Sequence, residues 1–279
     1  MNRRRRQNGF SIAEILIAVG ILTVAMLFIA GVFPVGIRFM QVSADRTTAA
    51  FVASEAFAKV QLYAGRVDPQ LDSELRFTEA RDFNDWFDDV DSSDDYVIDA
   101  NTFSYPTDDS ISFDDKHYCW SAILRRTEGR DVQVTVFVSR KAGAAAKYYL
   151  PDYSSFGTDG YASISDANDR LPHPVRVDVN DVQNRANELR ISNPKLINDG
   201  DIIVDDPTGR IYRVLQRYAD PDKDIILLDK DFILTDWQGD SISGDRFVWV
   251  VPPPAAPGGN RKVSGKSPCV GIYQKVIRF

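Results

Sequence analysis

The sequence is poor in the residues that most catalytic sites and metal centres use. Among 279 residues it has two histidines, His117 and His173, and two cysteines, Cys119 and Cys269. It contains no G-x-S-x-G nucleophile elbow, no glycine-rich phosphate loop and no paired-cysteine zinc pattern. Each histidine is expected to be a surface or packing residue. We therefore expect that the protein is not an enzyme.

One long segment has almost no charge. Between Phe10 and Ile37 the single ionisable residue is Glu14, and the 23 residues that follow Glu14 carry no charge. That run exceeds the roughly 18 to 20 apolar residues with which a helix crosses a bilayer. Four arginines at positions 3–6 precede it, and positive flanks stay on the cytoplasmic side. The sequence therefore predicts one transmembrane helix, with residues 1–9 inside and the bulk of the chain outside.

Three interpretations of this segment compete. A cleaved secretory signal has an apolar core of about 7–15 residues, and the core here is longer. A plain signal anchor explains the arginines and the length, but not a glutamate whose charge costs a few kcal/mol within the membrane. In the third, the segment closely resembles the class III signal of type IV pilins and type II secretion pseudopilins. The resemblance rests on the stretch Gly9-Phe10-Ser11-Ile12-Ala13-Glu14-Ile15-Leu16-Ile17-Ala18.

Two details depart from the usual pattern of that family. A basic residue usually stands directly before the glycine, whereas Gln7 and Asn8 separate the arginines from Gly9 here. The proline that typically kinks the helix comes a few residues late, as Pro34. The first departure could slow processing of the leader.

The resemblance implies how the segment is used. In that family a membrane peptidase cuts after the glycine, here Gly9, and the new amino-terminal phenylalanine, here Phe10, is N-methylated. The glutamate five residues into the mature chain, Glu14, is kept, and its carboxylate can neutralise the amine of Phe10 on a neighbouring subunit. The implied partners are prepilin peptidase/N-methyltransferase, other pilins or pseudopilins, and the inner-membrane assembly platform.

The implied role is that of a minor pilin or pseudopilin, a structural subunit of a type IV pilus or of a type II secretion pseudopilus. Such a subunit starts as a single-pass protein of the cytoplasmic membrane and ends in a periplasmic or cell-surface filament. The alternative is a membrane-anchored exported binding module that does not polymerise. Removal of the leader separates the two, because only the first requires it.

The net charge limits the possible partners. The formal charge is −7, and loss of the four leader arginines makes it −7 − 4 = −11. General binding to nucleic acid depends on neutralising phosphates with basic side chains. We therefore do not expect it of this acidic chain.

The two cysteines are a candidate disulfide. An exported protein meets an oxidising compartment, in which a pair of thiols can be oxidised. Sequence alone does not show that Cys119 and Cys269 approach within the Cα distance that a disulfide needs. Free thiols therefore remain the alternative.

Basic residues are nearly absent from residues 79–115, which contain 13 acidic residues and one base, Arg81. The simpler interpretation is a solvated acidic loop. The alternative is a calcium site, because hard cations bind several carboxylate and carbonyl oxygens, although the spacing matches no EF-hand loop. No other cofactor is expected. The calcium candidates are the densest group, Asp88, Asp89, Asp91, Asp94 and Asp95.

The remaining pattern predicts an α+β fold. The long helix is expected over residues 10–65, with its transmembrane part at about 10–37. Residues 66–141 are expected to form a pilin-like α+β domain in which this helix packs on a small antiparallel sheet. Apolar residues that recur at three, four and seven positions predict the helix face, and they are Val42, Ala49, Ala53, Phe57, Val60 and Ala64.

Strand signals fill the rest of the chain. Alternating apolar residues from Tyr118 to Leu124 and from Val132 to Val138 predict a hairpin. Residues 142–169 are expected to be a linker, and residues 170–279 a β-rich domain that forms a small barrel or sandwich. Its predicted strands are Val175–Val179, Asp201–Val204, Ile211–Arg217, Ile225–Leu228, Arg246–Val251 and Val270–Phe279.

Overall fold

The computed structural model describes residues 11–64, 81–82, 102–108, 110–127, 131–141, 146, 148, 171–182, 185–219, 222, 224–233, 246–254 and 266–278. The chain divides into two compact units, Met1–Thr47 and Thr48–Phe279. The predicted α+β class is confirmed. Its elements are α1 (Ile12–Ala64), β1 (Arg81–Asp82), β2 (Ser104–Tyr105), β3 (Tyr118–Arg126), β4 (Asp131–Arg140), β5 (Val175–Val182), β6 (Glu188–Ile191), β7 (Ile202–Asp205), β8 (Ile211–Arg217), β9 (Ile225–Leu228), β10 (Arg246–Val250) and β11 (Cys269–Arg278).

An antiparallel sheet organises the second unit. Its strand order is β1-β3-β4-β11, and β2 also pairs with β3. The predicted hairpin is confirmed as β3 and β4, in which Trp120 is the partner of Val138 and Leu124 of Val134. β11 lies along the other side of β4, with Tyr273 opposite Val136. This sheet is therefore built from strands at both ends of the unit's sequence.

The position of β11 corrects one expectation. The last predicted strand, Val270–Phe279, was expected in the C-terminal barrel or sandwich, and this is wrong because β11 pairs with β4. Both strands have ten residues, whereas the barrel strands have four to eight. A strand of this length finds a full set of backbone partners on β4 and would not find them on a barrel strand.

One face of the sheet packs against the C-terminal part of α1, from Ala49 to Val60. The predicted stripe is confirmed at Ala49, Ala53 and Val60, which are at most 2 % exposed. It is wrong at Val42, which is 43 % exposed. The core that results also contains Val52 and Ala56 of the helix, and from the sheet Trp120, Ala122, Leu124, Val132, Val134, Val136, Val138 and Ile277.

A closed antiparallel barrel follows, with the strand order β10-β5-β6-β9-β8-β7. Its interior is filled with apolar side chains, among them Val177, Leu189 and Ile226, so that it is a packed core. The predicted barrel is thereby confirmed. The sequence did not indicate β6, because this strand has only four residues and two of them, Glu188 and Arg190, are charged.

The barrel packs on the second face of the sheet. At this junction the Arg125 guanidinium donates to the carbonyl of Pro207, and Gln274 Nε2 donates to the carbonyl of Gly209 at 2.6 Å. Both acceptors lie in the turn between β7 and β8. The sheet is therefore covered on both faces, and the apolar part of the junction is formed by Ile123, Phe137, Val204, Trp249 and Val251.

The candidate disulfide is contradicted, because Cys119 and Cys269 are free thiols. Both are register partners of Ser139, Cys119 from β3 on one side of β4 and Cys269 from β11 on the other. Strands that flank a common neighbour lie about 10 Å apart, whereas a disulfide needs Cα atoms within about 7 Å. Strand β4 therefore keeps the two thiols apart.

Gly209 lies where the β7–β8 turn comes close to the sheet, so a substitution at this position tests that contact. Its φ is +66°, and a Cβ atom there would lie 2.5 Å from Gln133 Oε1. Gly200 also has a positive φ, +88°, but a Cβ atom there meets nothing within 4 Å. Gly200→Ala should therefore cost only the backbone term, about 1–2 kcal/mol, and Gly209→Ala should cost that term plus the displacement of the amide group at the end of the flexible Gln133 side chain. Urea unfolding of the full-length variants in detergent measures both losses, and a smaller loss at Gly209 than at Gly200 would contradict the contact.

Asp201 carries a buried carboxylate at the start of β7. The residue is 6 % exposed, and its Oδ2 accepts a hydrogen bond from the Asn198 amide at 2.7 Å. Burial raises the pKa of this carboxyl group to about 6, and the nearby Asp199 adds to the rise. The folded state thus keeps a proton on Asp201 in a pH range in which the unfolded chain has lost it.

This pKa predicts a pH dependence of stability. Below about pH 4 both states are protonated and ionisation costs nothing, whereas between about pH 4 and 6 stability falls as the pH rises. Above that range the full cost of about 1–3 kcal/mol is present. Asp201→Asn should remove this slope because an amide does not ionise. Its oxygen can still accept the Asn198 hydrogen bond, so that the local structure is kept. Unfolding midpoints from pH 4 to 8 test it, with Asp231→Asn at an exposed position as the control, and a slope unchanged in Asp201→Asn would contradict the assignment.

Candidate processing and assembly segment

The first turn of α1 places Glu14 near the start of the helix. The carbonyl of Ser11 accepts hydrogen bonds from the amides of Glu14 at 3.0 Å and Ile15 at 3.2 Å. A carboxylate in the first turn is favoured by the partial positive charge of the helix N-terminus. Gly9 and Phe10, the predicted cleavage and methylation positions, lie outside the described residues. Their roles therefore stay predictions.

The side chains of this part of the helix are exposed throughout. From residue 11 to 44 every residue is exposed, and Leu16, Phe28 and Phe33 are each between 67 % and 69 % exposed. A continuous apolar surface of this length is not stable in water and indicates burial in lipid or against other helices. In the described residues, α1 is the one helix that is long and apolar enough to cross a membrane.

The uncharged run from residue 15 to 37 has one side chain with a hydroxyl group, Thr23, and that hydroxyl is satisfied within the helix. Thr23 donates its hydroxyl to the carbonyl of Val19 at 2.8 Å, one turn earlier. Helical backbone groups bond within the helix, which is what a hydrocarbon environment requires. In the part of the chain that the structure describes, the Glu14 side chain is exposed and makes no hydrogen bond or ion pair. Glu14 is therefore the group that needs a partner from elsewhere.

Pro34 does not end the helix, which includes it without interruption. A proline inside a helix has no amide hydrogen, so the carbonyl of Ala30 loses its usual donor. Gly31 and Gly36 flank it, and a Cβ atom at either would meet nothing within 4 Å. This region is the natural place for the helix to bend.

Comparison with known protein families identifies the same segment. The model of the prokaryotic N-terminal methylation motif matches residues 4–30. The N-terminal segment is that of a type IV pilin-like prepilin. No curated protein and no solved structure matches the chain. The prepilin-type helix fits membrane anchoring, and the motif implies processing by a prepilin peptidase and a pilin-type assembly context.

The other candidate positions do not form a second site in the described residues. The calcium candidates Asp88, Asp89, Asp91, Asp94 and Asp95 lie outside them. Among the residues that are described, no group of three or more histidine, cysteine and acidic side chains could hold a metal ion. The calcium prediction therefore remains untested.

One buried charged cluster was not predicted from the sequence. Asp205 is fully buried and lies 3.7 Å from the guanidinium of Arg246, while Asp206 accepts a 2.6 Å hydrogen bond from Trp249 Nε1. Burial raises the pKa of Asp205, and Thr208 and Arg246 oppose that rise. Both aspartates belong to the part of the barrel that contacts the sheet. The only sequence signal was an Asp-Asp-Pro turn, which looks like any exposed turn.

Gly9 is the position that decides leader removal. Gly9→Ala should leave the leader attached, because a methyl side chain at the cut position crowds a peptidase pocket shaped for glycine. Asn8→Ala, one residue earlier, serves as the control and should be processed. Intact-mass measurement of the protein purified from its membrane distinguishes full-length from mature chain. A normal mature mass for Gly9→Ala would contradict cleavage at this bond.

Proposed function

We propose that the protein is a minor pilin or pseudopilin, a structural subunit of a type IV pilus or of a type II secretion pseudopilus. The observation that carries the proposal is Glu14, the one ionisable side chain between Phe10 and Ile37, which lies in an exposed apolar helix and within the methylation motif at residues 4–30. A plain anchor would be inserted more easily without this charge. Its presence therefore calls for a use other than anchoring.

Cleavage creates the partner that Glu14 lacks. Hydrolysis of the bond after Gly9 removes four arginines and leaves a free amine on Phe10. This amine remains basic when it is N-methylated, so it carries a positive charge at neutral pH. When helices of two subunits pack, the carboxylate of one can neutralise the amine of the other. In a medium of low dielectric constant, each charge would be costly without this pairing.

A pilin or pseudopilin subunit needs an exported domain with a structural role and no catalytic activity. Several features of the described side chains support a structural rather than a catalytic role. Burial raises the pKa of Cys269 to about 12 and that of Cys119 still higher, so neither thiol is a ready nucleophile at neutral pH. His117 is exposed and separate from any acidic cluster that could bind a metal in the described residues. We propose that the second unit presents surfaces to other proteins outside the membrane.

The proposed partners follow from the same steps. Prepilin peptidase/N-methyltransferase would process the N-terminus, an inner-membrane platform would assemble the subunit, and other pilins or pseudopilins would pack against α1. The starting location is the cytoplasmic membrane, with residues 1–9 inside, and the final location is a periplasmic or cell-surface filament.

Glu14 gives the decisive experiment. Glu14→Ala and the isosteric Glu14→Gln should insert, lose the leader and fold, yet fail to co-purify with other pilins or pseudopilins. The reason is the amine of Phe10, which without its partner costs about 3–5 kcal/mol when buried. Glu14→Asp keeps the charge on a shorter side chain and should retain part of the recovery. Recovery is measured by quantitative co-purification from the native membrane.

Equal recovery would contradict the pairing of Glu14 with a neighbouring Phe10, and leader processing then separates two explanations. Equal recovery of wild-type protein and Glu14→Ala means that the carboxylate has no assembly partner. A wild-type protein that also retains residues 1–9 would then be the membrane-anchored binding module that does not polymerise. A processed wild-type protein with equal recovery would instead stand at a filament tip, where no subunit follows it.

A further inference from the structure

Strand β11 has a free edge. It pairs with β4 on one side, and among the described residues no strand pairs with its other side. The opposite end of the sheet is different, because both β1 and β2 cover parts of β3. β11 has ten residues, which is long for an unpaired edge.

Hydrogen bonds elsewhere in the sheet reveal which groups of β11 point outward. The amide of Trp120 donates to the carbonyl of Phe103, on the β2 side of β3. The backbone groups of Cys119 and Ser121, the residues on either side of Trp120, therefore point to β4. At the far end of β4, the amide of Arg140 bonds to the carbonyl of Pro268, on the β11 side. Even-numbered residues of β4 thus bond to β11, and their register partners there are Gly271, Tyr273, Lys275 and Ile277.

The alternate residues of β11 must then direct their amides and carbonyls away from the sheet. They are Ile272, Gln274, Val276 and Arg278. The last three are exposed, and Val276 is 57 % exposed although it is apolar. At three successive outward positions, the backbone donors and acceptors thus have no partner strand among the described residues. These groups form a template for one further strand.

The charges on this strand favour an acidic partner. Lys275 and Arg278 are the only charged residues of β11, in a chain whose net charge is −7. Arg278 has Asp131 opposite it in the ladder, which offsets its charge. Within the described residues the ammonium of Lys275 makes no ion pair and lies 6.0 Å from the centre of the Phe57 ring. Lys275 is therefore the cation that a neighbouring strand would meet.

We propose that the free edge of β11 binds an extended segment of another protein, with acidic side chains beside Lys275 and apolar side chains beside Ile272 and Val276. Backbone hydrogen bonds would supply the affinity and Lys275 the preference for an acidic strand. This inference concerns residues 269–278 and does not depend on Glu14 or on leader cleavage.

A second copy of the same chain fits the edge poorly. Its β11 brings only basic charges to the pairing, so Lys275 finds no opposite charge. An acidic segment of a different protein supplies that charge.

The alternation of amide directions supplies matched variants. Val276→Pro removes an outward amide and should keep the β4 ladder, because proline is tolerated where the amide faces solvent. Lys275→Pro removes an inward amide and should unfold the sheet. Val276→Thr changes the side chain but keeps the amide. Thermal unfolding of the three full-length variants in detergent tests this. The two Val276 variants should unfold at midpoints close to that of the wild-type protein, and Lys275→Pro should unfold at a much lower midpoint. Equal effects of the two prolines would overturn the assignment of directions.

Binding is tested with a defined probe. A fluorescent peptide of alternating valine and glutamate should bind the full-length protein in detergent micelles, and the peptide with lysine for glutamate should bind more weakly. Val276→Pro should weaken binding of the acidic peptide about tenfold, the equivalent of one lost hydrogen bond of about 1.4 kcal/mol. Val276→Thr should leave the affinity unchanged. Lys275→Glu should reverse the preference between the peptides.

Three results would overturn the proposal. The first is no binding of the acidic peptide, and the second is binding that Val276→Pro leaves unchanged. The third is self-association of the wild-type protein in sedimentation that Val276→Pro abolishes, which would assign the edge to a second copy. None of these outcomes depends on recovery of Glu14 variants, so the two proposals fail separately.

Discussion

The pairing of β11 with β4 is the constraint on which the second unit depends. β4 ends at Arg140 and β11 begins at Cys269, and all six barrel strands lie between them in the chain. The barrel is therefore an insertion whose two connections return to neighbouring strands of one sheet. Closure of this long segment costs conformational entropy, and the long β4–β11 ladder offsets it.

Burial of the sheet on both faces explains the residues of its central strand. Val134, Val136 and Val138 face the helix, while Thr135 and Phe137 face the barrel, and all five are at most 3 % exposed. A strand covered on both sides reads as a nearly continuous apolar run. Thr135 is the polar exception, and its hydroxyl accepts a 3.0 Å hydrogen bond from Gln274 Nε2. Polar groups at the junction fix how the β7–β8 turn lies on the sheet, which apolar contact alone would leave less specific.

The charged groups at the junction serve orientation more than stability. Arg246 lies 3.7 Å from Asp205, and Arg176 lies 3.9 Å from Asp206. Taking such pairs out of water costs about as much as their attraction returns. Asp205 also retains one oxygen, Oδ1, that is buried without a hydrogen-bond partner. The apolar contact around Trp249 must therefore supply the net stabilisation.

How well a feature could be predicted from the sequence depends on how far apart in the chain its interacting residues are. The Gly9–Glu14 motif and the β3–β4 hairpin depend on spacing along a few residues, and both were indicated directly. The partner of β11 depends on a ladder between residues that are 130 to 147 positions apart in the chain, and alternation alone fits either sheet. The disulfide expectation failed for the same reason, since only the register shows that Ser139 stands between the two cysteines.

The two proposed contact regions use different physics because their surroundings differ. A charge pair such as Glu14 with an amine is strong where the dielectric constant is low and water is absent. At the edge of β11, water competes for every hydrogen bond, and salt screens Lys275 over about 8–10 Å. The helix contact would therefore decide whether a subunit enters an assembly at all. The β11 edge would contribute a smaller free energy, enough to select which neighbour stands beside it.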